Sequence, residues 1–139
     1  MKPLRPYVYY AYYNWITDND NTPYLLVNCD YPNVDVPMEY VREGKIILNI
    51  AQRSIGNYVV NDESISFSAR FQGMLRDIYI PFGAVEALYA QETGDGIMFQ
   101  EEAYYSEQSY LERTSMAESN EVKAKKVVKK KSSHLKLIK

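Results

Sequence analysis

The chain has 139 residues, about the size of one ordinary domain; 46% are hydrophobic, 14 are tyrosines, and the formal net charge is −2. All 18 acidic residues lie in 1–122 against eight basic ones, and eight lysines follow between Lys123 and Lys139, so a body of about −10 carries a tail of about +8. An acidic body argues against a generic nucleic-acid surface, a single cysteine (Cys29) excludes an intramolecular disulfide, and no stretch approaches the roughly 18–20 apolar residues of a membrane span.

The first segment, RPYVYYAYYNWITDND, reads as a helix, with Pro6 in its first turn and a polar run from Asp18 to Asn21 ending the pattern. At about 100° per residue, Val8, Ala11, Tyr12, Trp15 and Ile16 fall on one side, and Tyr9, Tyr10, Tyr13 and Thr17 largely on the other. A helix lying on a monomer needs one apolar stripe, so two aromatic sides predict packing against both its own domain and a second copy. The same start is too aromatic and polar for a secretory signal, and a cytoplasmic protein is expected.

Short strands follow. YLLVNC is a buried one, which makes Cys29 a structural thiol. A turn at Arg42-Glu43-Gly44 leads into KIILNIA, and a loop from Ser54 to Asn57 leads into YVVND. SISFSARFQG alternates Ile65, Phe67, Ala69 and Phe71 with Ser66, Ser68 and Arg70, the period of a half-exposed strand. MLRDIYIPF is next, and VEALYAQETGDGIMFQ reads as two strands around Gly94-Asp95-Gly96, with a helical pairing of Val85, Leu88 and Tyr89 as the competing reading. The expected fold is mainly β with an N-terminal α-helix, a small antiparallel barrel or sandwich. From about Ser106 the composition turns to Ser, Glu, Asn and Lys, which predicts a flexible linker over 106–134 and a disordered tail. That tail ends on SSHLKLIK, an apolar tip that a purely solvating segment does not require.

Reactive groups do not converge. The lone histidine, His134, lies in the tail, so the body lacks a base for a serine or cysteine nucleophile. One Cys and one His far apart make no zinc site, and no phosphate-binding glycine motif is present. Asp18, Asp20, Asp62, Glu63 and Asp77 read as solvated turn carboxylates. A non-enzyme without metal or cofactor is expected. Peptide binding needs no such constellation, because an extended chain can lie along a sheet, held by main-chain hydrogen bonds and side-chain pockets. KIILNIA and SISFSARFQG have the makeup of such a groove, with Asn49, Ser68 and Arg70 as polar contacts; ordinary sheet core and surface is the alternative reading.

At RPYVYYAYYNWITDN, TPYLLVN, VPMEYVREGKIILNIAQRSIGN, FSARFQG, IPFGAVEALYAQETGDGIMF and the terminal LKLIK, the chain resembles the stringent starvation protein B (SspB) family. The match runs from about Arg5 to Glu102 and resumes at the last residues. The resemblance implies an Sm-like barrel domain over 1–105 and a homodimer joined through the first helix, with Tyr9, Tyr13 and Ile16 as interface candidates. It implies a cytoplasmic adaptor of the ClpXP protease that binds ssrA-tagged polypeptides. Carried onto this chain, the peptide groove involves Leu48, Ile50, Ala51, Ser54, Phe67, Ala69, Arg70 and Phe71. The ClpX-docking peptide is Leu135, Lys136, Leu137, Ile138 and Lys139, on a linker shorter and richer in lysine than the family's usual acidic, Pro/Gly-rich tail. An Sm-like RNA-binding module with a basic arm is the alternative.

Overall fold

The computed structural model describes residues 1–115. Helix α1 (Arg5–Asp18) is followed by strands β1 (Pro23–Asn28), β2 (Lys45–Asn49), β3 (Ile55–Val60), β4 (Ser64–Phe71), β5 (Met74–Pro81), β6 (Val85–Ala90) and β7 (Gly96–Met98), with single 3-10 turns at Met38–Tyr40, Gln52–Ser54, Phe82–Ala84 and Ala103–Tyr105. The strands form two antiparallel sheets, ordered β2-β1-β6-β7 and β3-β4-β5. The expected mainly β class with an N-terminal helix holds, and the segment 85–98 is two strands rather than a helix.

The chain divides into two compact units, Met1–Glu107 and Gln108–Lys139. Of the second, 108–115 are helical, with the Thr114 hydroxyl donating to the Tyr110 carbonyl one turn back at 2.8 Å. The part of the predicted 106–134 linker that is described therefore has regular structure; the rest of it, and the tip, lie outside the described residues.

Alternation decides the core. On the first sheet Leu25, Val27, Ile46, Leu48 and Leu88 point inward, while Ile47, Leu26, Ala87 and Met98 stand in register across the outer face. On the second sheet Ile65, Phe67, Ile78 and Ile80 point inward. Turn chemistry sets the registers: Gln72 (φ 54°) and Gly73 (φ 82°) make a two-residue loop with both residues left-handed, which pairs Phe71 with Met74 and Ala69 with Arg76.

Helix α1 closes the core with Tyr9, Tyr13 and Ile16, which are all buried. Its N-terminus has no local side-chain cap; instead the Glu102 carboxylate accepts from the Leu4 and Arg5 amides at 2.8 and 3.1 Å, an anion at the positive end of the helix. Arg5 is only 6% exposed. Its guanidinium donates to the carbonyls of Phe82 (2.8 Å), Val85 (3.2 Å) and Gln100 (2.7 Å), fixing the helix to the strand connections. Burial lowers its pKa, opposed by neighbouring Glu102. A β-bulge lies between Gly56 and Val59, where Asn57 (φ 52°) and Tyr58 leave the β4 ladder. The bulge sends Tyr58 to α1, where its ring stacks on Tyr13 at 6.0 Å.

Candidate functional site

The inner face of the second sheet runs out of core at one end. Successive inward rows are Val60–Ile65–Ile80, then Phe67–Ile78, then Ile55–Ala69–Arg76, then Phe71–Met74 at the hairpin tip. In the first two rows Ile65, Ile80, Phe67 and Ile78 are buried. In the third, Ile55 is half-buried and Ala69 is 9% exposed; in the fourth, Phe71 is half-buried and Met74 is exposed. A small side chain at position 69 between larger neighbours makes this row the candidate depression. The chain arrives here from the other sheet: β2 ends at Asn49, Ala51 lies in the core, and the 3-10 turn Gln52–Ser54 delivers Ile55 opposite Ala69.

A second segment borders the depression. In the 3-10 turn Met38–Tyr40, the Tyr40 ring lies 5.4 Å from that of Phe71, and the Glu39 carboxylate accepts from Arg76 Nη1 at 3.1 Å. Hydrogen bonding at its own backbone, then the Arg76 guanidinium, hold the Glu39 carboxyl below its usual range. Met38 is exposed. Strand β3 pairs on one side only, with β4, so its other edge presents main-chain groups beside this apolar floor. An apolar floor, a free strand edge and a few charged side chains suit an extended peptide. They do not suit covalent chemistry. Burial, then Asp30, push the Cys29 thiol up, away from a reactive thiolate. Among the described residues, no group of three or more His, Cys, Asp and Glu is placed to hold a metal, and no helix is long and apolar enough to cross a membrane.

The sequence-predicted groove residues separate by strand alternation. Ser54 and Arg70 are exposed, Phe71 is half-buried and Ala69 reaches the floor. Leu48, Ile50, Ala51 and Phe67 point into the chain's own core, where they support the groove from below. Arg70 itself stands on the outer face, donating to the Gly73 carbonyl at 3.2 Å. The predicted interface residues need the same correction: Tyr9, Tyr13 and Ile16 are consumed by the body, with the Tyr13 hydroxyl donating to the Ile50 carbonyl at 2.9 Å. The outward stripe is Tyr7, Tyr10, Ala11, Asn14 and Trp15, spaced by three and four. Leu135 to Lys139 lie outside the described residues. Sequence reasoning missed Ile55, Tyr40, Glu39 and Arg76. The two-residue Gln72-Gly73 loop was the available signal for Arg76, because it places that residue opposite Ala69.

The family model described as stringent starvation protein B matches residues 3–139. The chain belongs to the stringent starvation protein B family. The stringent starvation protein B homolog of Haemophilus influenzae (strain ATCC 51907 / DSM 11121 / KW20 / Rd) is 50% identical over 105 residues, covering 76% of this chain and 70% of that protein. In this SspB-family chain the segments VPMEY and FSARFQG fall on the two borders of the candidate depression: the first supplies Met38, Glu39 and Tyr40, the second Ala69 and Phe71.

Proposed function

We propose that this SspB-family protein is a ClpXP adaptor that holds ssrA-tagged polypeptides as extended chains in the groove between β3, the end of β4 and the Met38–Tyr40 turn. The observation that carries the reading is the combination of a one-sided β3 edge with an inner sheet face that opens at Ile55, Ala69 and Phe71. Cargo is held by main-chain pairing and shallow apolar contacts, and the protein breaks no bond. Residues 135–139 dock ClpX, and the preceding chain acts as the tether. A short apolar tip buries little area and binds weakly by itself. Tethering raises its effective concentration toward the mM range, and two tips on a dimer add to this. The dimer forms through the outward stripe of α1, where Tyr7 and Trp15 are about half exposed. The site of action is the cytoplasm.

The test is a parallel titration of the full-length protein with labelled ssrA peptide and labelled single-stranded RNA, at two salt concentrations. The proposal expects saturable binding of the peptide, with Ala69→Glu weakening it about tenfold by placing a charge on the apolar floor. RNA binding with a steep salt slope, and no peptide binding, overturns it in favour of the RNA module.

A further inference from the structure

We infer that Arg76 makes the groove selective for an extended peptide bearing a carboxylate side chain, and that Glu39 occupies Arg76 until such a peptide arrives. The inference rests on the peptide-binding reading above and names the cargo chemistry that the groove prefers.

Position is the first support. Arg76 stands in register with Ala69, in the row where the inner face of the sheet opens, so its guanidinium borders the floor on which a bound chain lies. Glu39 is not part of that sheet. It is carried by the Met38–Tyr40 turn, which meets the sheet through the Tyr40–Phe71 ring contact. The Glu39 carboxylate therefore reaches Arg76 from outside the sheet, at 3.1 Å. The two side chains are 60% and 35% exposed. An ion pair this open to water contributes little to folding and exchanges partners at little cost. A peptide carboxylate already aligned by main-chain pairing brings its charge to Arg76 without a separate ordering penalty.

Charge distribution is the second support. Of the eight basic residues in 1–122, five fall between positions 42 and 76: Arg42, Lys45, Arg53, Arg70 and Arg76. Lys45 is committed to Glu86 at 2.7 Å, and Arg70 bonds the Gly73 carbonyl from the opposite face of the sheet. Arg76 thus combines a place on the open row with a partner that cargo can replace.

The experiment uses the full-length protein and three labelled peptides built on the ssrA tag, identical except for Glu, Gln or Lys at one position. That position is scanned along the peptide, and affinities are read by anisotropy. At one position wild type should prefer Glu over Gln by about fivefold, the order expected of a partly exposed charge-assisted bond. Arg76→Gln should erase that preference, bringing the Glu and Gln peptides to equal affinity. Glu39→Gln should strengthen the Glu peptide by about threefold. Arg76→Glu should move the preference to Lys, a gain that a misfolded variant does not produce. If Arg76→Gln weakens all three peptides equally, or leaves the Glu preference intact, Arg76 is not the selector and peptide binding itself still stands. If wild type binds none of the three, the peptide-binding function fails first.

Discussion

The hydroxyls of Tyr9 and Tyr58 meet at 2.5 Å, joining α1 to the bulged strand β3. The bulge between Gly56 and Val59 exists at the cost of ladder hydrogen bonds, and this contact is what the displaced Tyr58 gains. The Tyr9 ring sits edge-on to Phe82 at 5.4 Å, fully inside the body, so its hydroxyl needs a partner there. Tyr58→Phe leaves that buried hydroxyl with one partner fewer and should cost about 1–2 kcal/mol in urea unfolding. The Tyr9→Phe, Tyr58→Phe double variant should cost clearly less than the sum of the two single losses, because the second change removes the orphaned group.

The same pair predicts an alkaline limit. Burial pushes the Tyr58 hydroxyl up to about 12. Burial, followed by the Tyr58 neighbour, raises Tyr9 further. An unfolded tyrosine titrates near pH ~10. Between pH about 10 and about 12 the unfolded chain therefore loses protons that the folded chain keeps, and stability falls as pH rises. Melting temperatures measured from pH 8 to 12 should drop above about 10, less steeply in the Tyr9→Phe, Tyr58→Phe variant.

Arg5 makes a separate test of what anchors the helix. Its three carbonyl acceptors belong to the β5–β6 connection, the first residue of β6 and the segment after β7. Arg5→Leu matches part of the volume but leaves those carbonyls short of donors, and should cost about 3 kcal/mol or more in chemical denaturation. Arg5→Lys should recover only part of this, since a single ammonium cannot spread over three acceptors.

The outward stripe of α1 predicts how a second copy binds. Tyr10→Glu combined with Trp15→Asp should lower the mass measured by light scattering to that of one chain at micromolar concentration, with little change in the melting profile of the monomer. Both side chains are exposed in the single chain, so their loss removes little packing from the body. An unchanged mass would place the interface elsewhere.

Deleting 135–139, or the single change Ile138→Asp, should leave the affinity for labelled ssrA peptide as it is and abolish the acceleration of degradation of a tagged substrate by ClpXP. Equal loss of both activities, with the melting profile unchanged, would mean that the tip contributes to the groove. The two readouts are measured on the same preparation, so a folding defect shows in both.

Much of the fold was legible because strands and two-residue turns write their period directly into the sequence. The alternation in SISFSARF and the left-handed Gln72-Gly73 loop fix β4, β5 and their register. The phase of α1 was not legible. Tyrosines at 7, 9, 10, 12 and 13 surround the helix, and tyrosine fits a buried or a wetted position equally well. The choice is made by Arg5, which turns inward to reach main-chain carbonyls; an arginine in a first turn is ordinarily read as exposed. The groove was half legible. LNIA and FSARF point to the corner of the molecule that holds the candidate groove, but an apolar strand position identifies a buried side chain without telling floor from core. The border supplied by Glu39 and Tyr40 depends on a loop folding over a hairpin more than 30 positions away, which no local pattern encodes.

The claim on which the account depends is that cargo lies on the open end of the β3–β4–β5 sheet. Amide chemical-shift changes in the full-length protein, titrated with unlabelled ssrA peptide, test it most directly. The account predicts changes concentrated at 52–57, 69–76 and 38–40, with Tyr7, Trp15 and residues 135–139 unmoved. Changes centred on the outer row Ile47, Leu26 and Met98, or on 135–139, with the Ala69 and Ile55 amides silent, would contradict it.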